Sequence, residues 1–102
     1  MTRKEKLIKK LEHRKQFFKK AEEGYPETVA KMSTTALKMN YHDFKLAIEE
    51  YVGWLDEAYN DYINNDIDNV LLNYRVTDAK ICVDHWQKMQ EIIVNELLKR
   101  AV

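Results

Sequence analysis

Turn-forming residues are almost missing from this chain. Its 102 residues include two glycines, one proline and one cysteine. So little glycine and proline leaves few places for the backbone to turn, as in a protein of long helices. A single thiol, Cys82, excludes an intrachain disulfide and fits a reducing compartment, so the expected location is the cytoplasm. Long apolar runs are missing too. The longest, Val70–Leu72 and Ile92–Val94, fall far short of the ~20 residues needed to cross a bilayer. Met1 to Lys10 is charged and lacks the apolar stretch of a secretory signal. A surplus of one charge is also lacking, because 17 Lys and Arg balance 17 Asp and Glu.

The balanced total hides a split. Residues 1–20 carry nine Lys/Arg against two Glu, a net +7, whereas residues 40–70 carry one Lys against eight Asp/Glu, a net −7. Over this split runs a helical periodicity of apolar residues. Thr2 and Glu5 form a capping box, and Leu7, Ile8, Leu11, Phe18 and Ala21 then share a face, with Phe17 at its edge. Gly24 and Pro26 predict an end to this helix and the start of a second, whose stripe is Val29, Met32, Ala36 and Met39.

The stripe changes phase at Asn40. Phe44, Ile48, Tyr51, Leu55, Ala58 and Tyr62 then form a coiled-coil-like seam that Asn64-Asn65-Asp66 closes. A last seam follows through Val76, Ala79, Val83, Trp86, Gln90, Ile93 and Leu97. A second apolar stripe on the same segment includes Leu71, Tyr74, Ile81, Cys82, Met89 and Ile92. The expected fold is therefore a single all-α domain over residues 1–102, a small bundle of four to five helices. They are placed at about 3–23, 26–39, 42–64, 67–75 and 77–100, the last two separate or continuous. A last helix that is apolar on two sides needs more neighbours than a small monomer offers, which predicts a homodimer.

Catalytic and cofactor signatures are lacking. Cys82 and His85 share a helical face, yet two ligands make half a zinc site and no second cysteine completes it. No Glu stands three residues before His13, His42 or His85, so the Glu-x-x-His spacing of di-iron bundles is not met. The expectation is a protein that is not an enzyme and takes no cofactor or metal. Tyr51-Val52-Gly53 in a chain of this length resembles the small secreted helical-hairpin proteins that carry Trp-x-Gly at their turn. Here Gly53 precedes Trp54 inside a heptad, a departure from that family at its defining position.

Three surfaces remain as candidates. Lys6, Lys9, Lys10, His13 and Lys20 form a basic face on the first helix. It is suited to phosphates of nucleic acid, to a membrane surface or to an acidic partner, and otherwise is simply solvated. Asp43, Glu50, Glu57 and Asp61 line an acidic edge that serves as a solvated face or a dock for a basic partner. Trp54 and Tyr59, at the margins of their seam, join Met89 and Ile92 as candidate contacts with a protein partner. Gln90 breaks an apolar seam, where an amide either fixes oligomer state or reaches solvent. The function these features predict is a protein–protein interaction module, a small regulator, adaptor or inhibitor of bacterial or phage type. The alternative is a nucleic-acid-binding module that uses the basic first helix.

Overall fold

The computed structural model describes residues 1–102 as three helices, α1 (Arg3–Ala30), α2 (Thr34–Ile63) and α3 (Asn69–Ala101), with no strand. α1 and α3 run parallel: Arg3 bonds Asp68 at one end, and Arg100 bonds the Val29 carbonyl at the other. α2 runs antiparallel to both, with Tyr62 bonding Asn69 and Gln90 bonding the Tyr41 carbonyl. α3 occupies the centre, while α1 and α2 scarcely touch each other. The result is a slab of 53 × 28 × 16 Å. Its radius of gyration, 16.7 Å, exceeds the roughly 13 Å usual for a compact chain of this length. No helix is long and apolar enough to cross a membrane.

The helices number three because the expected breaks at Gly24–Pro26, at Asn40 and at Thr77-Asp78 are bridged, while one unexpected turn opens at residues 31–33. The capping box works as expected, since Thr2 Oγ1 accepts from the Glu5 amide at 3.1 Å. Gly24, however, is not left-handed, and α1 continues through Pro26 to Ala30. Proline inside a helix costs about 3 kcal/mol relative to alanine. Continuing the helix offsets much of that cost by burying Val29 and laying Tyr25 edge-on to Phe44 with centroids 6.0 Å apart. Thr28 Oγ1 also donates to the Gly24 carbonyl at 3.4 Å.

The turn comes later, at residues 31–33, and α3 stabilises it. Arg100 Nη2 donates to the carbonyls of Val29 (3.0 Å) and Met32 (2.7 Å), and its Nη1 donates to Thr34 Oγ1 (3.1 Å). A guanidinium thus satisfies the free carbonyls that a glycine cap would otherwise handle. Ser33 caps α2 by accepting from the Ala36 amide at 3.1 Å.

Asn40 does not start a helix. Its side chain donates to Tyr25 Oη at 3.3 Å, and α2 passes through it. Asn64–Asp66 do end α2, with Asn65 left-handed at φ 62°. Asp68 then caps α3 by accepting from the Leu71 amide at 2.9 Å. α3 runs unbroken past Thr77-Asp78, because Asp78 reaches across to Arg14 instead of bonding its own backbone.

All three helices meet at Val29, Leu37 and Ile93, each no more than 1% exposed, with Tyr25, Met32, Phe44, Ile92 and Leu97 packed around them. Both apolar sides of α3 are occupied within the chain. Its main seam lies on α2, where Trp86 stacks on Phe44 at 5.0 Å and Ile93 meets Leu37. Its second stripe lies on α1, where Tyr74 faces Leu7 and Leu11 and Ile92 packs beside Val29. The two-sided pattern therefore reports a central helix flanked by its own neighbours and gives no ground for a dimer.

Gly53 sits inside α2, where an added Cβ meets nothing within 4 Å, so no backbone approaches it closely. Gly53→Ala is therefore expected to stabilise the fold by about 1 kcal/mol. The melting temperature read by circular dichroism should rise by about 4–8 °C. An unchanged melting temperature would count against this reading.

Candidate functional site

The polar residues of the interior form two groups along α3. In the first, Arg14 Nε of α1 lies 2.8 Å from Asp78 Oδ1, and Arg14 Nη1 donates to Cys82 Sγ at 3.4 Å. Burial opposes the Arg14 charge, yet Asp78 and Cys82 hold the guanidinium above its ordinary pKa. Burial pushes the Asp78 carboxyl up, outweighing Arg14, and raises the Cys82 thiol in the same way. The Tyr51 hydroxyl of α2 is raised too, by burial and by its neighbour Cys82. A fully buried thiol with a raised pKa stays protonated and unreactive.

In the second group, His85 Nδ1 lies 3.0 Å from Glu22 Oε2. The imidazole stacks on Phe18, with centroids 3.8 Å apart and planes within 5°. Cys82 and His85 thus have separate partners. No cluster of three His, Cys, Asp or Glu side chains is placed to hold a metal ion. Both groups tie α1 to α3.

The charged faces are held apart. None of the six ion pairs joins α1 to α2. Lys6, Lys9, Lys10, His13 and Lys20 are all exposed and enter none of them. On α2, Asp43, Glu50 and Glu57 are exposed and unpaired, while Asp61 meets Arg75 of α3 at 2.6 Å. The slab therefore carries a basic edge and an acidic edge on either side of α3.

No known protein family matches this chain, and neither characterised proteins nor solved structures gave a match.

The four candidate contact residues do not share a surface. Met89 is buried and Ile92 packs against the core, so a partner reaches neither freely. Trp54 and Tyr59 are 43% and 45% exposed, on opposite sides of α2. Trp54 borders a surface cleft with Glu57, Arg75 and Asp78 and packs edge-on to Tyr51. Gln90 is engaged within the chain, its amide donating to the Tyr41 carbonyl at 3.2 Å.

Tyr59 belongs to a larger surface that seam analysis overlooks. Eight of the chain's fourteen exposed large apolar residues lie on α2. Four of them, Tyr41, Val52, Tyr59 and Ile63, fall within about 40° of one another at roughly 100° per residue. The Gln90–Tyr41 bond joins this edge to α3, whose adjoining edge carries half-buried Leu72, Val76 and Val83 and exposed Val94. α1 packs on the other side, where Tyr25 meets Asn40 and Phe44. The spacings along Tyr41, Val52, Tyr59 and Ile63 are eleven, seven and four residues, each close to a whole number of helical turns. Periodicity alone does not single it out, because it lies beside a stronger seam.

Proposed function

We propose that the protein is a non-enzymatic helical interaction module that docks through the α2–α3 apolar face, and that a second copy of the chain is its occupant. The observation that carries this reading is the exposed stripe Tyr41–Val52–Tyr59–Ile63, continued on α3 by Val94. Contiguous exposed apolar surface favours association. An antiparallel helix pair turned on itself about a two-fold axis buries such a face in a four-helix arrangement. Lys45 lies in the stripe between Tyr41 and Val52, and Asp56 borders it, eleven residues further along α2. An antiparallel crossing of two α2 helices midway between them sets each Lys45 against the Asp56 of the other copy. The role this fits is that of a small regulator, adaptor or inhibitor, working in the reducing cytoplasm that a lone free thiol suits.

Sedimentation velocity is expected to show a dimer with a micromolar dissociation constant. Tyr59→Asp should give a monomer with unchanged helical circular dichroism. Lys45→Asp should weaken the dimer, and adding Asp56→Lys should restore it. A wild-type chain that stays monomeric throughout the micromolar range would sink the proposal.

A further inference from the structure

The outward face of α1 has a pattern that neither the fold nor the α2–α3 surface uses. Lys6, Lys10, His13, Phe17 and Lys20 follow one another at intervals of four, three, four and three residues, which places them in one stripe. The stripe spans roughly 21 Å at about 1.5 Å per residue. All five are exposed, and no Asp or Glu occupies the same stripe. Like charges three and four residues apart destabilise a helix unless something neutralises them.

Phe17 lies within this stripe, between His13 and Lys20. Sequence periodicity places it at the edge of the core face, but the structure leaves it 72% exposed, more than any other aromatic residue of the chain. Phe18 beside it has one ring face covered by His85, so Phe17 presents the free ring. Lys10, His13, Arg14 and Tyr74 join the two phenylalanines around an open surface groove of about 660 Å³.

We infer that this stripe binds single-stranded nucleic acid. Phe17 stacks on an unpaired base, and Lys6, Lys10, His13 and Lys20 contact the backbone phosphates on either side. A basic track interrupted by an exposed aromatic ring is the arrangement that holds unpaired strands, since every base offers a face to stack on. A duplex keeps its bases stacked internally and gains only phosphate contacts from such a surface. A membrane-lying helix needs a broad apolar face, but Leu7, Leu11 and Phe18 are turned towards α3. This site lies on a flank of α1, bordered by Tyr74 of α3, and shares no residue with the proposed dimer face.

The test is fluorescence anisotropy of the full chain with labelled oligothymidylate, oligouridylate and a mixed-sequence duplex of equal length. The single strand is expected to bind at least about tenfold more tightly than the duplex. Affinity should fall with salt at a log–log slope near −2, about −0.7 for each of three lysines. Phe17→Ala, at an exposed position that leaves the fold intact by circular dichroism, should weaken binding about tenfold. Phe17→Trp should restore it, and Lys10→Glu should flatten the salt slope by about 0.7. A preference between the two oligomers identifies the strand as DNA or RNA. Equal affinity for duplex, indifference to Phe17→Ala, or binding to phosphatidylserine vesicles with none to either oligomer would overturn the inference. Tyr59→Asp should leave binding unchanged, so the two proposals fail separately.

Discussion

Ile93→Ala is expected to destabilise the protein by about 4 kcal/mol, lowering the urea midpoint by about 2 M. Ile93 is fully buried where it meets Val29 of α1 and Leu37 of α2, so the cavity opens at the one cluster shared by all three helices. A flat slab cannot close around such a cavity as a rounded core can, because few second-layer side chains stand behind it. Only 8 of the 102 residues are buried, so the loss falls on a thin reserve. Domains of this size are held by about 5–15 kcal/mol in total, and the variant should be partly unfolded on mild heating. Equilibrium urea unfolding of the two proteins, followed by circular dichroism, decides the matter. A loss under about 1 kcal/mol would mean that the helices repack around the gap.

Arg14→Leu should cost about 2 kcal/mol at neutral pH. The figure lies below the range for fully buried pairs because the Arg14 side chain is 38% exposed. The variant leaves the Asp78 carboxylate, only 14% exposed, without its cation. Burial already holds the Asp78 carboxyl above its ordinary pKa in the wild type, and losing the guanidinium raises it further. A carboxyl whose folded-state pKa exceeds its unfolded value binds more protons in the native state. Its contribution to stability therefore falls as pH rises through the interval between the two values, and recovers as pH falls. The penalty of Arg14→Leu should shrink as the solution is acidified towards the ordinary carboxyl range near about 4. Its other neighbours, the Cys82 thiol and Tyr51 hydroxyl, stay neutral over that interval because both are raised. Adding Asp78→Asn to the variant should recover most of the loss at neutral pH. Urea unfolding of both proteins at several pH values provides the comparison, and a penalty independent of pH would contradict the assignment.

The proposed surfaces differ in how far periodicity alone exposes them. The basic face of α1 was readable because lysines opposite an apolar stripe have nowhere to go but solvent. Phe17 was not, since an aromatic ring next to a core stripe looks like core until the neighbouring helix is placed. Trp54 and Tyr59 stand half-exposed on α2, whereas Met89 and Ile92, which periodicity presents as surplus apolar surface, are packed inside. The difference lies in the number of helices around each one. α2 has one extensive neighbour, and α3 has two.

Helical class, the capped start at Thr2, the stop at Asn64–Asp66 and the separation of charge all follow from local rules, because caps, turns and side-chain periodicity act within a few residues of the chain. The passage of α1 through Pro26 and the seating of the α1–α2 turn on Arg100 depend on groups up to 71 residues apart. The central place of α3 is likewise a matter of packing across the chain. Local propensity is worth about 1–3 kcal/mol at a glycine or proline. Burying a side chain such as Val29 or Tyr25 is worth as much, so at these positions long-range packing overrode the local signal.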